Sequence, residues 1–128
     1  MAITTAMCSS FKTELLGGLH DLDTDSLKLA LIKASPSGTY GVATTNYSNV
    51  TGASDEASGT NYSAGGQALG SPSIAVTTSA SGCIIYNTAN SNSAICVIDF
   101  GGTVSATAGD LTIQFPTADA SNAVIRIA

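Results

Sequence analysis

Residues 82–100 read GCIIYNTANSNSAICVIDF. Two apolar runs, 83–86 and 94–100, flank a polar connection, 87–93, built from Asn, Thr, Ser and Ala. The runs are rich in Ile, Val, Tyr and Phe, residues that suit a pleated, half-buried surface. They are far shorter than the roughly 20 apolar residues of a membrane span. The stretch therefore predicts two antiparallel core strands joined by a loop. In the second run Cys96, Ile98 and Phe100 share one face, and Ile95, Val97 and Asp99 share the other. Both faces stay apolar until Asp99, so this strand belongs near the middle of a sheet. Ile98 is the residue expected at its centre.

Around this hairpin, the other strand signals are short and frequent. Residues 27–33, LKLALIK, alternate Leu27, Leu29 and Leu31 with Lys28 and Ala30, which predicts a strand despite good helix propensity. Further strands are expected at 67–69, 73–78, 110–115 and 123–127. Gly70-Ser71-Pro72, residues 79–81, Gly101-Gly102 and residues 116–121 punctuate them. Six or seven short strands in 128 residues predict one mainly β domain, a jelly-roll-like sandwich over 27–127. Residues 4–16 predict a short N-terminal helix. Met7, Phe11 and Leu15 form its apolar stripe, Thr4 or Thr5 its cap and Gly17-Gly18 its end. A helix this short is marginal alone, so the stripe is expected to dock on the sheet or on a neighbouring subunit. Residues 35–66 are the most polar part, with Tyr40, Val42, Tyr47, Val50 and Tyr62 as scattered anchors. So long an excursion is expected to be mobile until a partner orders it.

Composition narrows the function. Charged residues are only 10% of the chain, against about 25% in ordinary domains. The surface must therefore be built from Ser, Thr, Asn and Gly. Net charge is −5, and the only cations are Lys12, Lys28, Lys33 and Arg126. Four scattered cations make neither a nucleic-acid footprint nor an anionic-membrane patch, so neither partner is expected. The opening lacks a basic, then apolar, leader pattern, so no signal peptide is expected. Cys8, Cys83 and Cys96 form no C-x-x-C pair, and the two strand cysteines are expected as buried thiols.

Residues that could carry chemistry are few. Asp21, Asp23 and Asp25 alternate like a calcium loop, but Ser26 and Ile32 stand where that loop needs Gly and a bidentate Glu. A solvated turn is expected there instead. His20 is the only histidine, sits in that charged turn and is expected in solvent; no G-x-S-x-G elbow accompanies it. Asp55, Glu56 and Asp99 are the carboxylates that could converge for glycoside cleavage, although the chain has no Trp and few aromatics to stack a sugar. No catalytic residue, metal site or cofactor is expected, and the chain is not expected to be an enzyme.

One resemblance runs along nearly the whole chain. TTAMCSSFKTELLGGLHDL at 4–22, SLKLALIK at 26–33, YSAGG at 62–66, IIYN at 84–87, DFGG at 99–102 and the late IQFP resemble a family of small virion structural proteins of tailed bacteriophages. Members open with a similar TAMC-x-SFK-x-ELL-x-G-x-H segment. Many carry a longer stretch before IIYN, which this chain lacks. The resemblance implies a part of a phage particle, assembled in the host cytoplasm. A decoration, or cement, protein on the capsid exterior fits the single small β domain. Its partners would be the major capsid protein and further copies of itself, as a dimer or trimer; a tail- or fibre-associated adhesin module is the alternative. Met7, Phe11, Leu15, Tyr40, Tyr47 and Tyr62 are the expected partner contacts.

Overall fold

The structure, a computed structural model, describes residues 2–69 and 75–110. The elements run β1 (Ala2–Ile3), β2 (Ala6–Met7), α1 (Ser9–Leu16), β3 (Leu27–Lys33), β4 (Thr39–Tyr40), α2 (Ser48–Gly52), β5 (Gln67–Ala68), β6 (Ala75–Asn87) and β7 (Ser93–Asp110). The chain is mainly β, as expected. One antiparallel sheet has the order β2-β7-β6-β3-β5, and β1 pairs with β4 in a small parallel ribbon. Ile3 of the ribbon lies close over Gly82 of the sheet, so the ribbon forms part of a second layer.

The β6–β7 hairpin is the frame. Its register runs from Asn87↔Ser93 at the closed end to Ala75↔Asp110 at the open end. Residues 88–92 close it. Asn87 Oδ1 accepts the Ala89 N–H at 2.9 Å, and Ser91 and Asn92 take positive φ values of 50° and 60°. β3 pairs along β6, matching Leu29 with Ile85 and Leu31 with Cys83. Register then sorts the core. Ala30, Ile84 and Val97 share one face, and Leu31, Cys83 and Ile98 share the other. Over the first face close Cys8, Phe11, Tyr40 and Val50, all buried. Ala57 and Ala80 complete the cluster around Leu31 and Cys83. All three cysteines are free and buried.

Several expectations need correction. The helix begins at Ser9, not at residue 4, because Ala6 and Met7 pair with Val97 and Cys96 of β7. Sheet hydrogen bonds there outweigh a marginal helical turn. The helix does end at Gly17-Gly18. Leu19 N–H bonds the Glu14 carbonyl at 2.9 Å and Gly18 N–H bonds the Leu15 carbonyl at 3.1 Å. The runs at 73–78 and 82–86 are not separate strands, since β6 passes through the serines at 79 and 81. Register shifts between Ala80 and Gly82, and Ser81 Oγ donates to the Lys33 carbonyl at 2.9 Å. Gly101-Gly102 likewise does not end β7. Its register jumps between Asp99 and Val104, and Gly101 takes φ 77°, a value that lets one residue bulge out of a ladder that then resumes. The run at 67–69 is the two-residue β5. Of the strand expected at 110–115 only Asp110 is described, as the end of β7; the rest of it and the strand expected at 123–127 lie outside the described residues.

Past Lys33, β6 and β7 continue as a projecting ribbon, Thr78↔Ala106 and Val76↔Gly109, with Thr60 bridged to Thr77 on the β6 side. Among the described residues no strand lies beside β7 from Gly101 onward. Ile98 is only half-buried, because it sits next to that open end, whereas Ile84 is fully enclosed in the central strand. Replacing Ile84 with Ala is predicted to cost about 2–5 kcal/mol in urea unfolding, and Ile98→Ala less. The reverse ranking would show that β6 is not the centre of the sheet.

Candidate functional site

Among the described residues, the polar excursion holds the densest polar chemistry. Residues 55–57 lie along the outer edge of β3. Lys33 N–H bonds the Asp55 carbonyl at 2.8 Å, Ala57 N–H bonds the Leu31 carbonyl at 2.9 Å, and Glu56 bridges Ile32. This plants two adjacent carboxylates beside the sheet, and they take separate sets of partners.

Asp55 is fully buried. Its oxygens accept the N–H groups of Ser37 and Gly38, both at 2.8 Å, and the Tyr40 hydroxyl at 2.6 Å; Lys33 Nζ pairs with it at 2.9 Å. Burial by itself would raise its pKa. The bonds from Ser37, Tyr40, Lys33 and Gly38 outweigh that and hold the carboxyl well below the usual range. Burial, then the neighbouring carboxylate, pushes the Tyr40 hydroxyl far up.

Glu56 gathers the rest of the loop. Its oxygens accept Tyr47 OH at 2.5 Å, Tyr62 OH at 3.0 Å and Gly65 N–H at 2.6 Å. Tyr62 OH also accepts the Leu31 N–H of β3 at 2.9 Å, so the hydroxyl ties loop to sheet. Tyr86 OH donates to the Gly65 carbonyl at 2.7 Å, and the Tyr47 and Tyr86 rings stack at 4.4 Å. Burial first, and Glu56 second, raises the pKa of the Tyr47 hydroxyl; burial is again the largest cause at Tyr62. Gly66 finishes the lock: a Cβ there would fall 1.9 Å from the Leu29 carbonyl oxygen, so only glycine lets the loop lie this close to β3. All four tyrosines of the chain thus anchor the excursion, Tyr40 through Asp55, Tyr47 and Tyr62 through Glu56, and Tyr86 through the Gly65 carbonyl. The excursion, expected to be mobile without a partner, is held by its own carboxylates.

A second polar cluster surrounds His20. It was expected in solvent, but its side chain is fully enclosed. Phe11 meets its ring edge-on at 4.9 Å. Asn87 donates through Nδ2 both to His20 Nδ1 at 3.0 Å and to Asp25 Oδ2 at 2.6 Å, while its Oδ1 takes the Ala89 N–H. Those two outer bonds fix the Asn87 amide, so Nδ1 is the acceptor and the ring proton sits on Nε2, 3.5 Å from Glu14 Oε2. Hydrogen bonds from Asn87 and from the Asp21 backbone lower the Asp25 pKa. The turn at 21–25 is closed by its own groups: Asp21 Oδ1 accepts Asp23 N–H, and Asp25 Oδ2 accepts Asp21 N–H.

The six residues expected at a partner interface divide between the carboxylate cluster and the hydrophobic core. Tyr40, Tyr47 and Tyr62 come together around Asp55 and Glu56. Met7 lies in β2 of the sheet, Leu15 of α1 packs against the core, and Phe11 and Tyr40 are interior rather than presented to a partner. The carboxylates considered for glycoside cleavage are not brought together. Asp99 lies on β7 and bonds the Gly101 N–H, whereas Asp55 and Glu56 lie outside β3 with β6 between. Three strand spacings, roughly 14 Å, exceed the separations that such acid pairs use. Burial pushes the thiols of Cys83 and Cys96 up to about 12 and that of Cys8 to about 11, so none is a ready nucleophile. An open groove between residues 54–60 and the β6–β7 ribbon is lined by hydroxyls, but Thr78 donates to the Ser58 carbonyl and Ser79 bonds Ser105.

Compared with protein-family models, curated proteins and solved structures, the chain matches none.

The buried Asp55 carboxylate makes an acid-stability prediction. Its folded pKa lies below its ordinary value of 3.8, so its contribution is complete above about pH 5 and fades as pH falls through and below that value. Asp55→Asn is predicted to cost about 1–3 kcal/mol at pH 7, because buried donors lose their acceptor. The variant should also lose stability less steeply than wild type between about pH 4 and pH 2. Parallel pH–stability curves for the two proteins would refute the assignment.

Proposed function

We propose that the chain is a structural protein of a bacteriophage particle, a capsid decoration protein that stabilises contacts between major capsid proteins from the outside. The observation that carries this reading is the use of its scarce reactive groups. His20, Asp55, Glu56 and Tyr47, which an enzyme would aim at a substrate, are each spent on holding a loop or turn to the sheet. Such a molecule offers a shaped, weakly charged surface. The resemblance of the opening segment TAMCSSFKTELLGGLH to small phage virion proteins points the same way. An acidic balance with four cations suits contact with protein rather than with nucleic acid or anionic lipid.

Self-association is part of the proposal. Among the described residues nothing pairs with β7 from Gly101 onward on its outer side, where it runs GGTVSATAG with no charge or proline before Asp110. Unguarded edges pair with further strands, so it is the natural site for contact between copies.

Copy number per particle tests the reading. Quantitative densitometry of purified virions is predicted to find the protein in numbers comparable to the capsid subunits, on the order of hundreds. A few copies confined to the tail would instead favour a host-binding adhesin module.

A further inference from the structure

Leu16, Leu19 and Leu22 are exposed by 88%, 57% and 39%, although they fall within seven residues of one another in a chain whose other leucines are mostly packed. Apolar side chains on a floppy segment would mean little. This segment is anchored along its length. Leu19 N–H is tied to the Glu14 carbonyl at the end of α1. His20, between Leu19 and Leu22, is plugged into the fold by Phe11 and Asn87. Asp25 N–H bonds the Asp21 carbonyl at 2.8 Å, and Thr88 N–H bonds the Ser26 carbonyl at 3.0 Å. The anchors hold the backbone while the leucines project into solvent. Their rim is acidic, with Asp21 and Asp23 exposed on either side of Leu22.

We propose that residues 16–22 form the face that docks on the capsid, and that the receiving site on the major capsid protein is an apolar groove flanked by Lys or Arg side chains. This inference rests on the decoration reading above and names the partner's chemistry. Charge complementarity selects that occupant over a second copy of this chain. A two-fold contact through this face would set Asp21 and Asp23 against the same carboxylates. Among the described residues the chain's own cations offer little relief. Lys33 is paired with Asp55, Lys28 lies within β3, and Lys12 is a single charge on α1. An acidic rim also opposes anionic lipid.

Co-sedimentation with particles stripped of the protein tests the proposal. Leu16→Ser/Leu19→Ser/Leu22→Ser is expected to weaken binding about tenfold or more, with an unchanged melting curve because these side chains are exposed. Leu16→Ser alone, at the most exposed position, is expected to weaken it measurably and guards against misfolding of the triple variant. Asp21→Asn/Asp23→Asn should bind more slowly and lose much of the salt dependence of wild type. Val42→Ser, an exposed apolar control in the loop after β4, should leave capsid binding unchanged. Wild-type binding with an equally tight triple variant would overturn the leucine face and leave the decoration reading intact. Failure of wild type to bind would overturn both. A triple variant that changes the oligomeric state of the free protein would also overturn the inference, since the face would then belong to a contact between copies.

Discussion

With about one residue in ten charged, the fold depends on where its few carboxylates go, and Asp55 decides most. It sits where the chain comes back to the edge of β3. From there it satisfies two backbone N–H groups of the 37–38 turn, the Tyr40 hydroxyl and Lys33. A buried carboxylate is tolerable only when nearly every lone pair is used, and here all the donors come from the stretch between the end of β3 and β4, residues 33–40. Glu56 does the same for Tyr47, Tyr62 and Gly65. Together they turn a Ser/Thr/Gly-rich segment with few apolar residues into a fixed covering for the sheet. Hydrophobic burial builds the β6–β7–β3 centre, and charge-assisted hydrogen bonds attach the periphery.

The centre was legible because alternation and apolar runs report directly on strands. Residues 83–86, 94–100 and Leu27–Lys33 announce themselves in that way. Boundaries were less legible. Ser79, Ser81, Gly101 and Gly102 look like breaks, yet a long antiparallel pair absorbs them as bulges because the ladder resumes on either side. The N-terminal strand pairing of Ala6 and Met7 depends on a partner about ninety residues away, which no local pattern encodes. The same holds for the site. Asp55 and Glu56 were visible as acids, but their roles come from tyrosines and backbone amides spread over residues 37–65. His20 reads as a solvated turn residue until Phe11 and Asn87 are seen to enclose it. A signal was present in Tyr40, Tyr47 and Tyr62, spread through a stretch otherwise poor in apolar residues: large side chains with one polar tip are what a buried carboxylate recruits.

These attachments bear on function through rigidity. A decoration protein gains affinity when its contact surface is organised before binding, since ordering costs then fall on folding rather than on docking. The Asp55–Glu56 cluster organises one side of this molecule, and the His20–Asn87 cluster organises the exposed leucine segment. Both hold a surface in a defined position, the second with an acidic rim, and the decoration role proposed above would use such fixed surfaces.

Hydrogen exchange at the amides of Ser37, Gly38 and Gly65 in the free protein tests the account most directly, because each donates to one of the two carboxylates. The account predicts slow exchange at neutral pH without any partner, and faster exchange of Ser37 and Gly38 in Asp55→Asn. Exchange of all three at unprotected rates in the free protein, with protection only on particles, would contradict it and show that the excursion is ordered by its partner.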